Sequence, residues 1–465
     1  MKPTTTIMPS SNKVLPEIAI IGAGHVGLTT AIVLAERGFR VRCLEIDAAQ
    51  RSHIQSGQIP FAEEGMASAL ESVIKSEHLS IHPSEWPCIG KSSLVFICVE
   101  TPQDEEGLLD KRPILSALSM IGAGLKHHAD WIDIVVRSTV PPGSTKGFIA
   151  KKLEETSNKK VGEHFGLACN PEFLRDGQGL DDFRQADRIV VGSELKQTID
   201  HILSVYTTWD CSKLQVEPSE AELIKYMSNL SLTMMMTFAN EWNRILLSLG
   251  ENLSFSNVLE GMQLDHRWKA KHERLGLMDY LIPGPGFGGS CLPKDLNAIR
   301  QLAREHGVST PLFDAIATSN RNQLEEAYQW IESCIQKPLK EQTILLLGIS
   351  HKTNTSTLTQ SPGVLIYKRL LADGCSVAAY DPNVEIETLK NMLGSPSKGL
   401  SLIPSLEGLK DYALSSADIV IMVHPTLLLN DCLPILRAKP SLPMFDLRGS
   451  WRNDITLPNY FSFFV

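Results

Sequence analysis

The chain has 465 residues, 43% hydrophobic and 21% charged, with a formal net charge of -9. That length exceeds one ordinary core and implies two or three domains. The acidic balance argues against nucleic acid and anionic membrane as partners, yet leaves room for an anionic small molecule held by local basic groups and helix termini. Nine scattered cysteines without a Cys-x-x-Cys pair point to free thiols in a reducing, cytoplasmic setting and give no metal-site spacing, so no metal is expected.

Residues 1–16, rich in Thr, Ser and Pro and lacking an apolar signal core, are expected to form a flexible tail. From Glu17 strand-like runs alternate with helical patterns: Ile18–Ile21, a helix over Thr29–Arg37 closed by Gly38, Val41–Leu44, Leu94–Val99 and Ile134–Val136. This is βαβ patterning, with a parallel sheet over 17–218. Gly22-Ala-Gly-His-Val-Gly27 follows the first strand and opens a helix, and Glu45 ends the next strand. In that context the glycines admit a pyrophosphate to the helix N-terminus, and the acid takes both ribose hydroxyls. A carboxylate there repels a 2'-phosphate, so NAD is expected over NADP, contacted by Gly22, Gly24, His25, Val26, Gly27 and Glu45. The alternative is a tight turn without ligand.

Ser219–Leu249 reads as one long helix without Pro or Gly, opening a central region over 219–336. Its apolar residues, Leu223, Tyr226, Met227, Leu230, Met234, Phe238 and Trp242, predict burial on several sides and packing on a second subunit; Met234-Met-Met236 reads as core filler. In Gly286-Phe-Gly-Gly-Ser-Cys-Leu-Pro-Lys-Asp295 the glycines allow close backbone approach, and Pro293 suits the first turn of a helix running on to Gly307. A thiol at that N-terminus beside Lys294 is expected to favour thiolate, the nucleophilic form, whereas a lone cysteine in a turn is ordinarily buried and inert. Over 337–465 the βαβ pattern returns, with strands at Thr343–Leu347, Ser376–Tyr380 and Asp418–Val423. Gly348-Ile-Ser-His-Lys352 replaces the glycine fingerprint, and Lys352 and Arg448 are candidates to reach a second nucleotide's phosphates. The predicted fold is α/β, two Rossmann-like doubly wound domains joined by a long central helix.

On these motifs the chain resembles the UDP-glucose/GDP-mannose dehydrogenases, the NAD-dependent nucleotide-sugar 6-dehydrogenases. Further matching blocks are Thr101-Pro102, Ser138-Thr-Val-Pro-Pro-Gly143, Asn170-Pro-Glu-Phe-Leu174, Asp187–Gly192 and Glu222–Asn229 around Lys225. The resemblance implies four-electron oxidation of a sugar C6 alcohol to the acid with two NAD+, through a thiohemiacetal and a thioester on Cys291. It implies an oxyanion site at Lys225 and Asn229, water ordering by Asp295 and Thr139, and Glu172 as base for hydrolysis. Thr101, Pro102, Thr139 and Lys294 would line the NAD site. Glu172, Phe173, Leu174, Lys225, Asn229, Arg267, Phe287, Gly288, Lys352 and Arg448 would contact the nucleotide sugar, and 337–465 would hold its UDP. A homodimer or higher oligomer is implied, with Arg267 or Arg274 lent to the neighbouring subunit.

Three departures stand out. Asp176 replaces the family's second glutamate after Asn-Pro-Glu. Where relatives read Lys-Pro-Asn-Thr-Asp-Asp-x-Arg-Glu-Ser-Pro, this chain has Lys352-Thr-Asn-Thr-Ser-Thr-Leu-Thr-Gln-Ser-Pro362, so Ser356, Thr357 and Thr359 make an ion-pair unit neutral. The Asp-x-Arg-Ile-Gly pattern is divided between Asp265-His-Arg267 and Arg274-Leu-Gly276. UDP-glucose is the expected substrate, with GDP-mannose or a UDP-N-acetylhexosamine as alternatives. Two other classes are a silent nucleotide-sugar-binding homologue and a two-electron alcohol dehydrogenase of the 6-phosphogluconate type.

Overall fold

The computed structural model describes residues 15–104, 109–249, 253–270, 273–274, 276–340, 342–393, 401–425, 434, 437–451 and 459–464, so all but the last two residues of the expected tail lie outside them. The chain divides into two compact units. The first is Met1–Pro60, Gly65–Thr101 and Lys111–Glu222; the second is Phe61–Glu64, Pro102–Asp110 and Leu223–Val465.

The first unit is built on an eight-stranded sheet: β1 (Glu17–Ile21), β2 (Arg40–Glu45), β3 (Leu79–Pro83), β4 (Leu94–Ile97), β5 (Asp133–Val136), β6 (Gly166–Cys169), β7 (Arg188–Gly192) and β8 (Ser212–Val216). Their order is β3-β2-β1-β4-β5-β6-β7-β8, and β7 meets β6 antiparallel. The first six strands follow the doubly wound order, whose switch point lies between β1 and β4. Buried apolar residues fill these strands, as a sheet covered on both faces requires. The first helix spans His25–Glu36 and starts earlier than the expected Thr29, because the second half of the glycine fingerprint is itself helical, with Gly24 as N-cap. β4 ends at Ile97, short of the expected Val99; there Arg137 and Ser138 both donate backbone N–H groups to the Ile97 carbonyl and end the ladder.

A buried arginine cross-braces this unit. Arg137 Nε donates to Thr30 Oγ1 (3.0 Å), Nη1 donates to Asn170 Oδ1 (2.8 Å), and the guanidinium lies 4.8 Å from the Phe183 ring centroid. It thereby joins the first helix to the segment that carries Glu172.

In the second unit a six-stranded sheet repeats the winding. After the two-residue strands β9 (Lys269–Ala270) and β10 (Glu273–Arg274) come β11 (Thr343–Leu347), β12 (Ser376–Tyr380), β13 (Ser401–Leu402), β14 (Ile419–Met422), β15 (Met444–Asp446) and β16 (Tyr460–Ser462). They are parallel, in the order β13-β12-β11-β14-β15-β16. The helix Pro218–Leu249 is continuous over 32 residues. Tyr226, Leu230, Met235, Ala239 and Leu246 are buried along it, whereas Leu223, Met227, Met234, Phe238, Trp242, Ile245 and Leu249 are exposed. At 100° per residue those seven share one face. The buried residues spread over the other sides of the helix, so burial on several sides holds except on this one face, where the expected burial of Leu223, Met227, Met234, Phe238 and Trp242 fails; Met234 stands on it while Met235 is core.

His424, just after β14, is buried, and its ring Nε2 lies 2.9 Å from the Ser350 carbonyl and 3.2 Å from Ser350 Oγ. Burial pulls its pKa below the ordinary 6.5, against the opposing pull of Asp381. A depressed folded value means its contribution to stability is complete above the unfolded value and is lost as pH falls through the folded one. Melting scans between pH 7.5 and 5.5 should show wild type losing more stability than H424Q, by roughly 2–4 °C; parallel slopes would refute the assignment.

Candidate active site

The dinucleotide turn has the shape its sequence promises. Gly22 has φ +99°, and a Cβ there would lie 2.8 Å from the Cys98 carbonyl oxygen; a Cβ on Gly27 would lie 1.9 Å from the Gly22 carbonyl oxygen. Both positions therefore exclude side chains. Gly24 is different: nothing lies within 4 Å of its would-be Cβ, and the helix that it caps carries no side-chain cap bond and no acid in its first turn. The result is an open helix N-terminus, bordered by His25 and Val26, into which an anion fits. Glu45 ends β2 and is buried; Oε2 accepts the Ala23 N–H and Oε1 the Asp47 N–H, both at 2.9 Å. The Gln50 amide adds a bond to the Ala23 carbonyl (3.1 Å). These features fit NAD: the open N-terminus suits its pyrophosphate and the Glu45 carboxylate its adenosine ribose.

The same unit holds Thr101, Thr139, Glu172, Phe173 and Leu174. Thr101 is buried beyond β4, and half-buried Thr139 follows Ser138, whose hydroxyl donates to the Val99 carbonyl (2.6 Å). Glu172 is buried and accepts the Leu174 N–H at Oε2 (2.6 Å), while Arg188 lies over the Phe173 ring at 3.8 Å. Glu222, near the start of the long helix, secures the loop behind Thr139. It accepts the Gly143 N–H (2.5 Å), the Thr145 N–H (2.8 Å) and the Thr145 hydroxyl (2.7 Å). Burial raises its pKa against the pull of those donors.

In the second unit Cys291 is exposed and caps the helix Leu292–Glu305, which has Pro293 in its first turn. The inert buried thiol is thereby set aside. The Cys291 carbonyl accepts the Asp295 N–H at 2.9 Å, closing that first turn. Asp295 is 1% exposed. Its Oδ2 accepts from Asn229 Nδ2 and its Oδ1 from Lys294 Nζ, each at 2.6 Å. Lys294, expected beside the thiol, thus directs its ammonium at Asp295; its carbonyl accepts Gln103 Nε2 (3.4 Å) from the segment that begins at Pro102. Lys225 is 4% exposed, which sets aside a solvated helix face for the Lys225–Asn229 pair. Phe287 is buried in the cysteine loop, and a Cβ on Gly288 would lie 2.1 Å from the Gln360 carbonyl oxygen.

The loop after β11 is closed internally. Asp381, just after β12, accepts the Ile349 N–H (3.0 Å), the Ser350 N–H (2.9 Å) and the Ser350 hydroxyl (2.7 Å). Lys352 is half-buried in that loop. Arg448 follows β15; its Nε is buried with no hydrogen-bond partner, and burial lowers its pKa. An orphaned guanidinium donor just beyond the carboxyl end of β15 fits an arriving phosphate. In the neutralised stretch Ser356 Oγ accepts the Ala62 N–H (3.4 Å), and the Thr359 carbonyl accepts the Gly289 N–H (3.1 Å). Arg267 is solvent-facing and bonded to Asp265 through Nε (2.8 Å). The Arg274 side chain lies outside the described residues. Among the described residues no group of His, Cys, Asp or Glu could hold a metal ion, and no helix is long and apolar enough to cross a membrane.

Sequence inspection missed Glu222 as a loop clamp, Arg137, and the amides Asn240, Asn320 and Gln323 that bond the cysteine loop. Only Glu222 carried a signal, its place at the start of the matched Glu222–Asn229 block.

Comparison with known proteins agrees with this geometry. Residues 16–210 match the NAD binding domain of the UDP-glucose/GDP-mannose dehydrogenase family, 219–322 its central domain and 345–442 its UDP binding domain. The chain is 30% identical to GDP-mannose 6-dehydrogenase of Pseudomonas aeruginosa, over 87% of this chain and 90% of that protein. It is 32% identical to UDP-glucose 6-dehydrogenase of Rickettsia conorii, over 81% of this chain and 83% of that protein. A UDP-glucose dehydrogenase structure from the archaeon Pyrobaculum islandicum superposes with a TM-score of 0.84 at 29% identity, covering 98% of this chain and 99% of that one. With all three of its domains matched in order, the chain belongs to the UDP-glucose/GDP-mannose dehydrogenase family and is an NAD-dependent nucleotide-sugar 6-dehydrogenase.

Proposed function

We propose that this chain oxidises UDP-glucose to UDP-glucuronate and that Cys291 holds the sugar carbon between the two oxidations. The observation that carries the reading is the exposed Cys291 thiol at a helix N-terminus, one turn from an Asp295 fixed by Asn229 and Lys294. NAD+, when bound, accepts two electrons with each hydride, twice per sugar. After the first oxidation C6 is an aldehyde. The Cys291 thiolate adds to its carbonyl carbon, and Lys225 and Asn229 stabilise the resulting oxyanion. The second oxidation leaves that carbon as a thioester; Glu172 takes a proton from water, with Thr139 and Asp295 orienting it, and hydrolysis releases the acid and the free thiol. Arg448 and Lys352 take the diphosphate, Phe287 and Gly288 border the sugar, and Phe173 and Leu174 line it beside Glu172. Arg267 is the favoured arginine to reach a neighbouring subunit's sugar.

The likeness to the Pyrobaculum UDP-glucose dehydrogenase over nearly the full chain supports a uridine nucleotide. The GDP-mannose relatives favour a second reading, GDP-mannose, since identity to them is as high. A panel of nucleotide sugars with NAD+ separates the two. UDP-glucose should give the highest kcat/KM and two NADH per sugar; one NADH with a carbonyl product would reject the four-electron assignment. C291S should still bind NAD+ and UDP by thermal shift and form no acid, whereas undiminished acid output would remove Cys291 from its role.

The exposed face of the long helix supports a homodimer. Seven large apolar side chains from Leu223 to Leu249 lie on it, Met227 being 74% exposed, and a stripe of this size is costly to leave in water. A second copy of the same face covers it symmetrically. In sedimentation measurements the pair M227E/F238E should convert the wild-type dimer to monomer; an unaltered mass would place the interface elsewhere.

A further inference from the structure

We propose that Asn320 is a positioning residue for the Cys291 loop, its side-chain amide bonding the glycine-rich backbone as a neighbouring strand would. The proposal rests on Cys291 as nucleophile. Asn320 Oδ1 accepts the Phe287 N–H at 2.8 Å, and Asn320 Nδ2 donates to the Phe287 carbonyl at 3.0 Å, so one residue of the loop is gripped on both its backbone groups. Gly286 has φ +100°, and a Cβ there would lie 2.9 Å from Asn320 Oδ1, so the loop is pressed on the amide to a distance only glycine permits.

The grip is repeated a few residues upstream. The Gly284 N–H donates to Asn240 Oδ1, and the Gly284 carbonyl accepts Gln323 Nε2, both at 2.8 Å. Asn320 and Gln323 sit one turn apart on the helix Pro311–Ile335, so that helix supplies a donor to each gripped residue. Gln323 is in turn held by Arg244.

Gly286, Gly288 and Gly289 contribute no side chains by which the loop could order itself. Ordering a backbone costs conformational entropy, and the cost is greatest for glycine. A reacting atom misplaced by about 1 Å costs on the order of 10²-fold in rate. The amide therefore acts on the reaction through the loop's backbone.

Full-length N320A and N320D test this beside wild type and C291S. N320A should lower kcat about 10–100-fold while leaving the thermal-shift responses to UDP and NAD+ unchanged. N320D keeps an acceptor for the Phe287 N–H but at pH 8 turns a carboxylate on the Phe287 carbonyl. Its kcat relative to wild type should be low at pH 8 and rise as the pH is lowered and a protonated carboxyl again donates. N320A with kcat within twofold of wild type overturns the proposal. If N320A fails to fold, N320D decides: a pH profile parallel to wild type overturns the proposal, and relative recovery at low pH upholds it. Acid formation by C291S would instead remove the nucleophile, a failure distinct from a silent Asn320.

Discussion

A single buried carboxylate ties together the elements of the second unit that carry Cys291, Lys225 and Asn229. Taking the Asp295 charge out of water is costly unless its oxygens are bonded, and here Asn229 supplies one short bond and Lys294 the other. The first of these joins the helix that Cys291 caps to the long helix that carries Lys225 and Asn229. The second keeps an ammonium beside the helix N-terminus. Removing either donor leaves a desolvated charge behind, so these residues act as a set and their separate contributions are not additive.

The two sheets share a winding order but use their second-strand acids differently. Glu45 accepts one backbone N–H on each oxygen, beside an uncrowded Gly24. Asp381 gathers three donors on one oxygen, all from the loop after β11, while the His424 ring crowds Gly348 on the other side. The first arrangement leaves a helix N-terminus accessible to a pyrophosphate. The second closes its loop on itself, and the orphaned Arg448 Nε becomes the group in greatest need of an anion. The absence of a second glycine fingerprint thus has a structural counterpart.

Much of this architecture was legible in the chain. Thr343–Leu347 and Ser376–Tyr380 are found as β11 and β12 with the expected bounds, because each is a short apolar run between turn signals. Pro293 and the helical period after it marked the Cys291 cap. The clamps were not legible. Asn320, Gln323 and Arg137 occur in ordinary helical or strand contexts, and their importance comes from backbone brought to them by distant segments. Lys225 is buried by tertiary packing that its spacing in the helix does not announce, whereas Met234 looked like core and faces outward. Apolar content fixes how much of a helix must be covered, not whether the cover comes from its own chain. The loss of charge at Ser356, Thr357 and Thr359 was visible at once; the Thr359 carbonyl bond to Gly289 was not, because it is made by backbone.

Glu45 illustrates how cofactor choice and local architecture become inseparable. Altering it to welcome a phosphorylated ribose would also withdraw the acceptors of the Ala23 and Asp47 N–H groups. A designer changing the coenzyme would first have to rebuild the turn, by giving those two donors new partners before admitting the extra charge. A single substitution at Glu45 therefore disturbs the turn as well as the charge beside the ribose.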